Sequence, residues 1–427
     1  MNSGRRDLGA SRPDLDSTGA VMEMQGLFGP FQFPELLLQR IWADRAFSVG
    51  EATTQNGERI KVDHPGRWNR LGGPDFKDAR LRIGGRQIDG DVEIHLHESD
   101  WRAHGHGNDA HYDGVVLHVV LYPSSATTTA TNGDRASIPV LALLPLLWHD
   151  LEEYAADAAV SSIADRPADR LAAEWLEMSP RQARARLRGE ARKRWDAKVH
   201  YARLRIQRTS WREACHLTAM EILGYRFNRV GMLRAAIRWP LALWGEDGVE
   251  TDEVFMELAA DWKLNGVRPA NHPRRRLASY ARWVRQGGTA WPDRLIEQAR
   301  AWPGAALDTD DSGDRGVRQW RRDSGYANWW REVMAAVGAA EHVPCPRADN
   351  LWGDGFLPLL AAGGHLGEVD GFAWWFISRP GDQPANVSQA VRLIGVANGG
   401  REPLAWGHVQ GMLGWQNALE RDVRRRT

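Results

Sequence analysis

Between Gly72 and Tyr122 apolar and polar residues alternate with a period of two, broken by a glycine pair, and this pattern commits the chain to a β-hairpin. Ala79, Leu81 and Ile83 alternate with Arg80 and Arg82. Gly84-Gly85 then stands where a tight turn needs positive φ. In the next run Val92, Ile94 and Leu96 alternate with Glu93, His95 and His97. Strand side chains point to opposite faces in turn, so Glu93, His95 and His97 are expected on one face. Val115 to Leu121 is apolar except for His118, as in a strand covered on both sides.

Six of the fourteen histidines (His95, His97, His104, His106, His111 and His118) fall in this stretch. Carboxylate and imidazole groups together form the donor set of divalent cations. Asp75, just before the first strand, can approach Glu93 across the hairpin. Asp75, Glu93 and His95 are therefore the candidate metal ligands, and His95, His104 and His106 the candidate catalytic histidines. Gly105 lets the backbone between His104 and His106 turn tightly, which can aim both rings inward. Asp100, Asp109, Tyr112 and His118 are placed to orient these groups. Blander roles compete: Asp75 as a turn cap, His104 and His106 as loop hydrogen-bonders, His118 as a core histidine satisfied by backbone.

A chain of 427 residues with 43% hydrophobic and 26% charged residues is globular and long enough for two domains. Residues 1–30 read as a disordered tail without a secretory signal, 31–148 as a mixed β-sheet domain, and 149–427 as a mainly helical domain. The class is α+β. A helix is expected from Pro34 to about Phe47, a hairpin around Asn56-Gly57, a surface loop over Pro123 to Ser137, and a last strand within Ile138 to Leu144. Beyond Leu144 apolar spacings of three and four take over. Most of the 21 tryptophans lie there and read as core fillers.

The formal net charge is zero, so no global attraction to nucleic acid or membrane follows. Arg181 to Trp239 nevertheless holds sixteen Lys and Arg against four acidic residues. Arg184, Arg188, Arg192 and Arg205 there could form a phosphate-backbone footprint, against the plainer reading of a solvated helical surface. Two distant cysteines give no disulfide framework, and no run is apolar enough to span a membrane, so a cytoplasmic protein is expected.

The segments HPGRWNRLGGPDFKDARLRIGG, GDVEIH, SDWRAHGHGNDAHYDGVVLHVV and RPANHPRRRLA resemble the bacterial family known as domain of unknown function 2851. The likeness continues around SWREACHLTAMEILGYRFN and carries no assigned activity. Family members often end in a short Cys-containing segment, whereas this chain ends in ERDVRRRT. More distantly, a helix, Pro74-Asp75, a hairpin and Glu93-Ile94-His95 are similar to the PD-(D/E)xK nuclease pattern. That resemblance implies a nuclease-like αβββ core, with Asp75 and Glu93 holding Mg²⁺ or Mn²⁺ and His95 in the lysine position. Histidine there departs from the pattern, because it lacks lysine's fixed charge and acts instead as a base or a further ligand.

Two functions are expected on these grounds. One is a metal-dependent phosphodiester hydrolase with a basic helical domain holding nucleic acid. The other is a non-catalytic nucleic-acid- or protein-binding module whose histidines form a polar network. Beside both stands a third option, a His-rich Zn²⁺ or Fe²⁺ enzyme using His95, His104 and His106 with Glu93.

Overall fold

The structure is a computed structural model and describes residues 35–70, 72–124, 137–155, 163, 166–245, 248–302, 316–396 and 402–426. The tail expected over 1–30, most of the Pro123–Ser137 loop and most of the Asp/Gly-rich stretch 305–317 lie outside the described residues. The fold is α+β, with a mixed sheet and a larger helical part. The chain forms two compact units: Met1–Arg40 with Gly50–Pro145, and Ile41–Val49 with Leu146–Thr427. The sequence reading instead divided the chain between residues 148 and 149. Ile41–Val49 joins the larger unit because Phe47 bridges Leu147, the Ser48 amide donates to Leu146 O, and Arg45 pairs with Asp261 at 2.8 Å.

Helix α1 (Glu35–Ala43), which begins in the smaller unit and whose last three residues belong to the larger, precedes strands β1 (Ile60–His64), β2 (Arg67–Trp68), β3 (Phe76–Ile83) and β4 (Arg86–His97) of the smaller unit. Short helix α2 (Asp100–Ala103) follows, then β5 (Val115–Tyr122) and β6 (Val140–Ala142). The sheet order is β1-β3-β4-β5-β6, with β2 also on β3. β1, β2 and β4 run antiparallel to β3. The β3–β4 hairpin closes through Gly84 and Gly85 at φ 58° and 84°, a region glycine enters without steric cost. One extra residue bulges from β3, where Phe76 pairs with Val92 and Ala79 with Gly90. Asp91 holds that bulge, accepting from Lys77 Nζ at 2.8 Å and from the Asp78 amide at 3.2 Å.

β4 and β5 pair in parallel, and so do β5 and β6. Parallel neighbours cannot be joined by a tight turn, so the chain between β4 and β5 must return across the sheet. That crossover carries α2 and both His104 and His106. In register Glu93 lies opposite His118. Paired residues share a face, so Glu93, His95 and His118 project from the same side of the sheet.

The larger unit packs around helix α3 (Pro180–Arg208), which starts with a capping box between Ser179 and Gln182 and has proline at its first position. Ala183, Leu187, Ala191 and Trp195 recur every four residues on its buried face. Helix α4 (Trp211–Leu223) follows and is capped by Ser210. The final helix, α5 (Trp406–Arg426), crosses α3 closely: a Cβ at Gly411 would lie 2.2 Å from the Leu187 carbonyl oxygen. The tryptophans act as expected. At least eleven are fully buried, many edge to face, such as Trp329 on Trp374 at 4.9 Å. Among the described residues no helix is long and apolar enough to cross a membrane.

Candidate metal centre

The crossover brings His104 and His106 to the strand that bears His95. One ligand atom from each of these three imidazoles lies within 4.8 Å of the others. Gly105, at φ 75°, supplies the left-handed residue that turns the backbone between the two loop histidines. Separate distances sharpen the picture. His95 Nε2 is 3.2 Å from His104 Nδ1, and Glu93 Oε1 is 3.4 Å from both His95 Nε2 and His106 Nε2. Two nitrogens bonded to one ion at roughly 2.0–2.1 Å in tetrahedral geometry stand about 3.3–3.4 Å apart. The separation of the His95 and His104 nitrogens is thus that of neighbouring ligands. His104 is exposed while His95 and His106 are buried, so the cluster is reachable from solvent on one side.

The surroundings fix the rings. His95 Nδ1 is 2.9 Å from Nε2 of His118, a fully buried residue. The tautomer with Nδ1–H of His95 donating leaves its Nε2 lone pair facing the cluster. Tyr112 stacks on His106 at 3.8 Å between ring centroids, and Trp101 stands edge-on to His106 at 5.4 Å. His106 Nε2 is buried and has no hydrogen-bond partner among the described residues. An orphaned buried nitrogen is rare in a folded protein, and it faces the Glu93 carboxylate and the other two rings.

Burial and the neighbouring imidazoles of His106 and His104 pull His95 down to about 3. Burial, with His95 beside it, takes His118 to about 3, and burial lowers His106 as well. His95, His106 and His118 are therefore neutral at pH 7, and neutral imidazole is the form that ligates metals. Burial, together with the negative charge of Asp75, raises Glu93 to about 8, and burial raises Asp75 to about 6. A cation beside Glu93 would reverse that shift.

Asp75 is close to Glu93, as expected: its amide donates to Glu93 Oε2 at 2.9 Å. Its own carboxylate is taken up by the Ile94 amide at 3.1 Å and Gln39 Nε2 at 2.6 Å. Asp75 thus ties β3, β4 and α1 together and stands outside the imidazole trio. Asp100 accepts from the His97 amide, and Asp109 caps the turn at His111, so both shape the loop. His97 stacks on Tyr122 at the exposed strand end, and His111 pairs with Asp109. Sequence reasoning missed Glu35 and Gln39. Burial raises Glu35, and His104 opposes that shift, so this helix carboxylate is electrostatically coupled to the cluster. Its signal was only its position in the first turn of an amphipathic helix.

The arginines differ. Arg188 and Arg192 lie over the Phe372 ring at 5.6 and 5.1 Å, and Arg192 also pairs with Asp196 at 2.9 Å. Arg184 is half-buried on the same helix. Arg205 turns inward, donating to Thr218 at 2.8 Å and Glu221 at 2.9 Å. With its guanidinium so enclosed, Arg205 offers no face to a phosphate backbone, which corrects that expectation. The same buried network holds His149 against Glu153 at 3.2 Å and Glu221 at 3.4 Å. Although burial opposes it, the charges of Glu153 and Glu221 raise His149 to about 9. The ring is therefore protonated, and its 3.1 Å approach to Arg205 is that of two cations bridged by carboxylates.

Fold and site together define a two-unit α+β protein with a histidine-rich cluster on its mixed sheet. The chain belongs to the family described as Protein of unknown function (DUF2851), which matches residues 35–258 and so spans the whole cluster. No curated protein and no solved structure matches it.

Proposed function

We propose that the smaller unit is a divalent-metal-dependent hydrolase acting on phosphodiesters, of nuclease-like type. His95, His104 and His106 hold the ion, and Glu93 takes up a proton beside it. The observation that carries this reading is the convergence of three imidazoles within 4.8 Å, one of them exposed. Three protein ligands and an open side are the arrangement of catalytic rather than structural zinc sites. When bound, such an ion supplies Lewis acidity and lowers the pKa of coordinated water. His118 fixes the tautomer of His95, Tyr112 fixes the plane of His106, and Glu93 is within reach of both ligand nitrogens. The donor set favours Zn²⁺ or Fe²⁺, with Mg²⁺ or Mn²⁺ the weaker fit because those ions prefer oxygen. Support for a phosphodiester comes from Asp75, just before β3, and Glu93, on the neighbouring β4, following the order of the PD-(D/E)xK pattern. Arg184, Arg188 and Arg192 of α3 remain the candidate nucleic-acid contacts. Two free thiols, Cys215 and Cys345, suit a cytoplasmic setting.

Purified full-length protein with Zn²⁺ or Mn²⁺ should cleave single- or double-stranded nucleic acid, or bis(p-nitrophenyl) phosphate, slowly. Glu93→Gln or a chelator should abolish the activity. Absence of cleavage with every ion and substrate would remove the hydrolase reading. A second reading, a non-catalytic binding module, is favoured by one observation: both His95 nitrogens already meet other imidazoles. In that case Glu93→Gln alters stability alone.

A further inference from the structure

From Gly245 to Glu257 the chain holds six acidic and no basic residues. In the larger unit this stretch borders a cleft of about 470 Å³, whose lining includes Trp239, Leu243, Glu250, Glu253 and Glu257. The three glutamates recur at spacings of three and four, so they share one face of the helix Thr251–Glu257 and its N-cap. Trp239 and Leu243 supply an apolar surface facing that acidic one. Leu243 is 54% exposed, a large apolar side chain left to solvent. The volume is that of a small-molecule site, roughly 300–1,000 Å³.

The chain answers part of this charge itself. Glu257 pairs with Arg238, whose guanidinium also lies 5.3 Å from the centre of the Trp239 ring. A cation on an alkyl stem thus already sits beside one carboxylate and the indole of the cleft. Glu250 and Glu253 are exposed, and their side chains make no ion pair or hydrogen bond among the described residues. Arg285 comes near, with Nε 3.6 Å from a Cβ built at Gly248, but pairs with neither glutamate. The backbone at Trp239 is pinned: its carbonyl accepts from Trp244 Nε1 at 2.8 Å and meets His216 Nε2 at 3.1 Å. The indole face is therefore held in place, and such a face attracts cations.

We propose that this cleft binds a small organic cation, an amine or guanidine carried on an apolar stem. Its charge meets Glu250 and Glu253, and its stem lies on Trp239 and Leu243, repeating with a ligand what Arg238 does with Glu257 and Trp239. The proposal is independent of the metal cluster.

The test is calorimetric titration of the full chain with phenethylamine and, separately, with phenethyl alcohol, which keeps the stem and removes the charge, at one ionic strength. Saturable binding of the amine is expected, about tenfold tighter than that of the alcohol. Glu250→Gln with Glu253→Gln, both exposed and so tolerated by the fold, should weaken the amine by about tenfold and leave the alcohol unchanged. Arg238→Gln, which releases Glu257, should tighten the amine by about threefold, a gain that misfolding does not produce. No saturable binding of the amine overturns the proposal, as does an alcohol that binds equally well. An unchanged Kd in the paired glutamate variant, or no gain in Arg238→Gln, overturns it as well, since the cation would then sit elsewhere.

Discussion

His118→Phe separates a metal centre from a polar network. Phenylalanine keeps the ring's bulk in a fully buried position but removes the 2.9 Å bond from His95 Nδ1. Leaving that nitrogen unpaired costs about 1–3 kcal/mol. His118 Nδ1 is itself buried without a partner among the described residues, and deleting it recovers part of the cost. The net loss of folding stability should therefore be small, about 1 kcal/mol. Metal affinity should fall much more. Loss of a hydrogen bond that orients a ligating histidine typically costs about 10–100-fold. The assay is paired: urea unfolding of the metal-free protein, and calorimetric titration with Zn²⁺. An affinity within threefold of the natural chain's, whatever the stability, would refute the claim that His118 orients a ligand.

Three further outcomes follow from the geometry. Gly105→Ala meets nothing within 4 Å but must keep φ 75°, so it should cost about 1–2 kcal/mol and weaken Zn²⁺ binding, read by the same pair of assays. Gly411→Ala drives a methyl into the Leu187 carbonyl 2.2 Å away and should destabilise the larger unit by about 1–3 kcal/mol, seen as a lower urea midpoint. His149 is raised from an ordinary 6.5 to about 9. Its contribution, roughly 3 kcal/mol, is complete below pH 6.5 and lost as pH rises through 9. His149→Gln should flatten the fall in urea midpoint between pH 6 and 9.5, and an unchanged slope would contradict this.

Local signals in the sequence reached about as far as local geometry does. The β3–β4 hairpin follows from alternation and from Gly84-Gly85, and β5 from its apolar run. His104 and His106 could be paired because Gly105 lies between them. The direction of β5 could not be read, since a buried run looks the same parallel or antiparallel, yet that direction is what carries the histidine loop over the sheet. Gln39 contacts Asp75 across 36 residues and has no local signature. Counting charges around Arg205 showed a basic excess, but neither that Glu221, counted within the stretch, closes on Arg205 nor that Glu153, outside it, joins in. His97 satisfied the alternation but lies at the strand end, where the sheet no longer buries it.

The central claim is tested most directly by titrating metal-free, full-length protein with Zn²⁺ in the calorimeter, beside the His104→Ala and His106→Ala variants. One ion should bind per chain, with proton release at pH 7 because Glu93 is raised to about 8 in the metal-free state, and each variant should lose that binding. Absence of stoichiometric binding in the natural chain, or its survival in both variants, would contradict the account.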